Sequence, residues 1–139
     1  MKTIEQYISY LINRSSTILQ SAAKKKFAPY NLAPEQSLIL SILRRENGLT
    51  QHEIGEKLKK DKANIARMAD NLEKKGFIKR VRDPNNRRAL KLYMTVEGEK
   101  IYDEVLTVYK KFDDEISSRV TAEELREFKR ILYKLTSEK

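Results

Sequence analysis

The sequence predicts a mainly α-helical fold carrying one small β-hairpin. Three observations lead there. Apolar residues recur at spacings of three and four over most of the 139 residues, the mark of helices with one buried face. Between Phe77 and Met94 that period changes, over two short runs split by a turn-rich segment. Only 4 Gly and 3 Pro are present, so long helices and few loops are expected.

The elements follow in order. Ile4, Tyr7, Ile8, Leu11, Ser15, Ile18, Leu19 and Ala22 place a first helix over residues 4–27, with Lys24, Lys25 and Lys26 in its last turn, where cations favour the helix dipole. Pro34 suits the first turn of a second helix running to about Glu46, with Leu38, Ile39, Ile42 and Leu43 as its core face. Ala33 is a poor N-cap, so packing must hold that start. Asn47-Gly48 is a stop signal. Thr50-Gln51-His52-Glu53 reads as a capping box opening a short third helix, with Ile54 and Leu58 inward. Asp61 caps a fourth helix, about 62–75, whose buried stripe is Ile65, Met68, Ala69 and Leu72, and Gly76 ends it. Residues 77–82 and 89–94 read as strands around the tip Asp83-Pro84-Asn85-Asn86-Arg87-Arg88. Thr95 caps a long fifth helix with the stripe Ile101, Val105, Val108, Tyr109, Phe112 and Ile116. A second capping box, Thr121 to Glu124, opens a last helix carrying Leu125, Phe128, Leu132 and Leu135.

Composition excludes several classes of function. There is no Cys, hence no disulfide, thiol switch or Cys-ligated zinc. The single His, His52, lies in the exposed first turn of the third helix and reads as a surface residue, so a His-rich metal site is not expected. No cofactor is expected either. The longest nearly apolar run, Leu38 to Leu43, is far shorter than the ~20 residues that span a bilayer. The first residues do not form a signal-peptide core, and a cytoplasmic location is expected.

The net charge is +9, and it is concentrated. Residues 57–91 hold thirteen Lys and Arg against four Asp and Glu, while the rest of the chain holds 16 of each sign. The whole excess therefore sits in one quarter of the chain. Such a patch suits a polyanion, with nucleic acid ahead of an anionic membrane surface.

Three short helices followed by a hairpin is the order of a winged helix-turn-helix, in which the second helix of the pair lies in the major groove. Here that helix has a small, polar outer face of Ala63, Asn64, Ala66, Arg67 and Asn71. Small residues let the backbone approach the bases. Arg67 can pair with guanine and Asn64 with adenine. Lys60, Lys62, Lys74 and Lys75 can neutralise phosphates, and the helix N-terminus at Thr50, with Gln51, can meet another. The tip arginines Arg87 and Arg88 suit a narrow minor groove.

At these residues the sequence resembles the MarR family of bacterial transcription regulators. The matching stretches are Leu32-Ala33-Pro34-Glu35-Gln36, residues 49–55, residues 61–67, residues 71–78, Arg80-Val81-Arg82-Asp83-Pro84-Asn85-Asn86-Arg87-Arg88 and Met94-Thr95-Val96-Glu97-Gly98. With the flanking helices the resemblance spans nearly the whole chain. It departs at Asn86, where the family carries an acidic residue that orients the wing arginine, and at Ala33, where the family carries Thr or Ser.

The resemblance implies one domain over 1–139, with a DNA-binding lobe at about 32–95 and dimerisation helices at about 1–28 and 96–139. It implies a two-fold dimer on a pseudo-palindromic site. It further implies a repressor that releases DNA when a small phenolic or anionic ligand binds where the dimer helices meet the lobe. Tyr7, Tyr10, Arg14, Tyr30 and Gln36 could line that pocket. The alternatives are a protein that coats DNA without reading it and a basic module docking an acidic protein or membrane. An enzyme is not expected, since no base, nucleophile and stabiliser stand out together.

Overall fold

A computed structural model of the chain describes residues 1–137. After a 3₁₀ turn at Ile4–Gln6 come helices α1 (Ile8–Phe27), α2 (Pro34–Arg45), α3 (Gln51–Leu58) and α4 (Lys62–Lys74), strands β1 (Ile78–Asp83) and β2 (Asn86–Met94), then α5 (Val96–Ser117) and α6 (Ala122–Thr136). The chain divides into two compact units, the first spanning Met1–Val105 and the second beginning at Leu106. Residues 138 and 139 of the expected C-terminal dimerisation segment lie outside the described residues.

The first unit has its own core. Phe27, Ile39, Leu40, Leu43, Ile54, Ile65, Leu72, Ile78, Leu92 and Val105 are almost wholly withdrawn from solvent, each worth about 1.5–3 kcal/mol relative to exposure. α3 packs on α4, and the hairpin packs on α2, α3 and α4. Local chemistry sets the helix ends. The Thr50 hydroxyl accepts the Glu53 N–H at 3.1 Å and Glu53 accepts the Thr50 N–H at 3.1 Å, closing the capping box. The Thr50 N–H, then the Thr50 hydroxyl, hold the Glu53 carboxyl below its ordinary pKa. Asp61 caps α4 through the Asn64 N–H at 2.8 Å. Gly76 follows α4 at φ +82°, a left-handed conformation that glycine adopts without strain.

The start of α5 is stapled to the end of α4. The Thr95 hydroxyl donates to the Gly76 carbonyl at 2.6 Å and accepts the Gly98 N–H at 3.0 Å. Thr95 N–H also donates to the Phe77 carbonyl at 3.1 Å. A Cβ on Gly98 would lie 2.1 Å from that same carbonyl oxygen, so the close approach requires glycine.

The structure corrects the sequence reading at five points. The first helix does not run unbroken from residue 4, because Tyr7 is extended (φ −80°, ψ 144°) and separates the 3₁₀ turn from α1. In α2 Ile39, Ile42 and Leu43 are buried as expected, but the fourth core leucine is Leu40, whereas Leu38 is 43% exposed. The start of α2 has a polar hold as well as packing, since Gln36 Oε1 accepts the Ala33 N–H at 3.2 Å. Leu58 is only half-buried. Finally, residues 48–50 do more than stop a helix. Gly48 N–H donates to Leu92 O at 2.9 Å and Leu92 N–H to Leu49 O at 2.8 Å, so this segment runs beside β2 and bridges Thr50 to Lys91.

In the second unit, the end of α5 leads to α6, whose Thr121–Glu124 capping box forms as expected. No residue of α6 is fully buried. Leu125 and Leu132 are half-buried, while Phe128, Ile131, Tyr133 and Leu135 are exposed. The N-terminal part of the chain likewise exposes Ile4, Tyr7, Ile8, Leu11, Ile12, Ile18 and Leu19.

Candidate nucleic-acid interface

The outer face of α4 is set by its buried one. Ile65, Met68, Ala69 and Leu72 face the core, which turns Ala63, Arg67 and Asn71 to solvent and leaves Asn64 and Ala66 partly covered. Asp61, Asn64 and Arg67 are linked along this face. Asp61 Oδ2 accepts from Asn64 Nδ2 at 3.3 Å, and Asn64 Oδ1 accepts from Arg67 Nη2. Among the described residues Lys59, Lys62, Lys74, Arg87 and Arg88 make no ion pair. Their charge is therefore free for a polyanion.

Other cations of the basic stretch are already spoken for. Lys60 pairs with Glu35 at 3.3 Å and Lys57 approaches Glu46 at 3.9 Å. Lys75 donates to Gln36 Oε1 at 3.1 Å, and burial pushes its ammonium below the ordinary lysine pKa. Arg80 is the most heavily engaged. Its guanidinium donates to Asp70 at 2.5 Å, to Glu73 at 2.9 and 3.1 Å, and to Gln51 Oε1 at 3.0 Å, and its N–H donates to Glu73 at 3.0 Å. Hydrogen bonds from the Arg80 side chain, then its backbone, lower the Glu73 carboxyl from its ordinary pKa. Burial works against the Arg80 charge, but its bonds to Glu73 and Asp70 raise its pKa overall.

Arg80 is the residue that sequence reasoning missed. It counted as one of thirteen cations, yet it ties α3, α4 and β1 together and holds the Gln51 oxygen that was expected to be free. Its partners lie seven, ten and twenty-nine positions away, beyond any helical or strand period. The clustering of Asp70 and Glu73 on one turn of an otherwise basic helix is the one signal that could have found it.

The hairpin tip is tighter than the sequence suggested. β2 begins at Asn86, directly opposite Asp83, around a turn at Pro84-Asn85. The next pair is Arg82 with Leu90, so Arg87, Arg88 and Ala89 have no residue opposite them and bulge from the ladder. Asp83 Oδ1 accepts the Asn85 N–H at 2.9 Å, Asn86 Oδ1 accepts the Arg88 N–H at 3.1 Å, and Arg82 Nη1 donates to the Arg87 carbonyl at 2.8 Å. Asn86 thus fixes the backbone of the tip and leaves the Arg88 guanidinium exposed. Thr50, Gln51, Lys59, Lys62, Asn86 and Arg88 share an open cleft of about 750 Å³ between α3, the α3–α4 joint and the hairpin. His52 is exposed on its rim, 3.0 Å from Glu56.

None of the five residues expected to line a ligand pocket lines this cleft. Tyr7 stands just before α1, Tyr10 and Arg14 follow in its first turns, and Tyr30 ends a 3₁₀ turn at Ala28–Tyr30. Gln36 is buried and bonded to Ala33 and Lys75. Among the described residues none of the five hydrogen-bonds to another of them. No group of described His, Cys, Asp and Glu side chains could hold a metal ion, and no helix is long and apolar enough to cross a membrane.

Comparison with known proteins gives one consistent result. Residues 32–90 match the model of the MarR family. The HTH-type transcriptional regulator PapX of Escherichia coli is 30% identical over 133 residues, covering 94% of this chain and 81% of that protein. The HTH-type transcriptional repressor MdtR of Bacillus subtilis strain 168 is 32% identical over 104 residues, covering 75% of this chain and 67% of that protein. A crystal structure of the S. aureus MepR–DNA complex superposes with a TM-score of 0.86 at 25% identity, covering 93% of this chain and 96% of that one. With its winged helix-turn-helix, its hairpin tip and these relatives, the chain belongs to the MarR family of transcriptional regulators.

Proposed function

We propose that this chain is a homodimeric, sequence-specific DNA-binding regulator, acting as a repressor that a small phenolic or anionic ligand relieves. The observation that carries DNA binding is the outer face of α4. It turns Arg67 and Asn71 to solvent, it holds Arg67 in place through Asn64, and it is flanked by cations that make no ion pair among the described residues. In this reading α4 enters the major groove. Lys62 and Lys74 neutralise phosphates, the start of α3 at Thr50 and Gln51 meets the backbone, and Arg87 or Arg88 reaches the minor groove. Lys60 and Lys75 contribute less, because Glu35 and Gln36 already engage them. The MepR structure, a DNA complex of a similar chain, supports the same use of the fold.

Dimerisation rests on the exposed apolar faces of α1 and α6, which a second copy would cover. A two-fold pair places two α4 helices one duplex turn apart, on a pseudo-palindromic site. A ligand seated by Tyr7, Tyr10, Arg14, Tyr30 or Gln36 would act by preferring one spacing of the two lobes, and would change DNA affinity only by that difference. Repression is the reading favoured by MdtR, which is named a repressor.

Selection from a random duplex pool tests the proposal. A regulator enriches one pseudo-palindromic sequence. Enrichment of none favours the second reading, a protein that coats DNA through its free lysines and arginines alone.

A further inference from the structure

We infer that Arg67 is the base-reading side chain of α4 and that Asn64 is a positioning residue, committed to holding Arg67 rather than to reading adenine. The inference rests on the DNA-binding reading above and deepens it. Asp61, Asn64 and Arg67 stand three residues apart, and that spacing stacks them along one face of the helix. Asp61 grips Asn64 twice, accepting its N–H at 2.8 Å and its side-chain amide at 3.3 Å. The Asn64 carbonyl then accepts from Arg67 Nη2. The orientation of the Asn64 amide follows from chemistry. A carboxylate only accepts and a guanidinium only donates, so the nitrogen must face Asp61 and the oxygen must face Arg67.

Reading adenine requires an asparagine to lay both ends of its amide flat against N6 and N7. Here both ends are engaged within the helix, in a direction set by the N-cap. The same two bonds restrict the long, exposed Arg67 side chain before any contact with DNA, so less of its rotamer freedom is lost on binding. One of its five N–H groups is used, and the others remain for the O6 and N7 acceptors of guanine. Asp61 therefore acts twice, capping α4 and fixing the residue that aims Arg67.

The test repeats the duplex selection with wild type, Arg67→Ala, Asn64→Ala, the double variant and Asn64→Asp, after thermal unfolding has established that each is folded. Asn64→Asp keeps an acceptor for Arg67 while removing the amide donor that an adenine contact needs. The expected wild-type half-site carries a fixed guanine. Arg67→Ala and Asn64→Ala should both flatten the preference at that guanine, by roughly tenfold to a hundredfold in relative affinity. The double variant should lose no more than either single one, and Asn64→Asp should retain the guanine preference. The inference is overturned if Asn64→Ala leaves the guanine preference intact and relaxes an adenine elsewhere, additively with Arg67→Ala. A wild type that selects no sequence would instead overturn the regulator reading itself, and this inference with it.

Discussion

Helices α4 and α6 are close in length, 13 and 15 residues, and both carry an apolar stripe at helical spacing. α4 buries its stripe completely, with Ile65 and Leu72 at 1% and 0% exposure. α6 buries none of its own, and Phe128 remains 60% exposed. The difference teaches what a stripe means. Apolar periodicity says that one face must leave water; it does not say which chain removes it. α4 finds its cover in α3 and β1, and so is free to offer its other face to a partner. α6 offers its apolar face itself.

That contrast can be broken by mutation. Leu72→Ala should cost about 2–5 kcal/mol, because it opens a cavity in a core the chain completes alone. Its effect on Tm should not change with protein concentration. Phe128→Ala should behave in the opposite way. If a second copy covers α6, the wild-type Tm rises with concentration and Phe128→Ala weakens that dependence. A wild-type Tm constant over a hundredfold range of concentration would mean that the stripe of α6 is not a dimer face.

A second substitution tests the frame that holds α4 and the hairpin. Gly98→Ala should destabilise the protein by about 3 kcal/mol, since the new methyl group meets the Phe77 carbonyl at 2.1 Å and backbone must move. Denaturant unfolding would measure it, and a change below about 0.5 kcal/mol would show that the close approach is not needed.

Much of the frame was legible in the sequence because its causes are local. Thr50, Asp61, Thr95 and Thr121 cap the helices they were expected to cap, each through a bond three residues long. The hairpin was visible as a change of period. What stayed hidden depends on residues distant in the chain. The pairing of residues 48–50 with β2 spans about forty positions and has no pattern of its own. Arg80 looks like its neighbours until Asp70, Glu73 and Gln51 are folded around it. The exchange of Leu38 for Leu40 on the buried face of α2 has the same origin. Leu38 and Leu40 are equally apolar, and only the packing of the whole unit decides between them. For the site, the sequence pointed to the outer face of α4 but not to the bonds that join its Asn64 and Arg67 to the cap residue Asp61.

Smaller effects sharpen the electrostatic side of the comparison. If a dimer makes roughly eight phosphate contacts, log affinity should fall with log salt at a slope near −7. Replacing Lys74 removes one contact from each protomer and should make that slope shallower by about two while leaving base preference unchanged. A slope unaffected by Lys74→Ala would remove it from the interface. The smallest effect concerns pH. The Glu73 carboxyl titrates below its ordinary value in the folded state. Its contribution to stability is therefore complete above the unfolded-state pKa and is lost as pH falls through the folded one. Thermal unfolding from neutral pH to about pH 3 should show a shallower acid-side loss for Glu73→Gln than for wild type. Equal losses would place the acid sensitivity elsewhere.

The most direct test of the central claim is fluorescence anisotropy on a labelled duplex carrying the selected site, against a scrambled duplex of equal length, at about 0.15 M salt. Non-specific binding of such a basic protein is expected at dissociation constants of about 10⁻⁴–10⁻⁶ M. The selected site should bind more than ~10³-fold more tightly than the scrambled one, and Arg67→Ala should remove about 1–3 kcal/mol of that preference without weakening the scrambled duplex. Equal affinity for both duplexes would contradict that claim, and would mean that the free cations around α4 hold DNA without reading it.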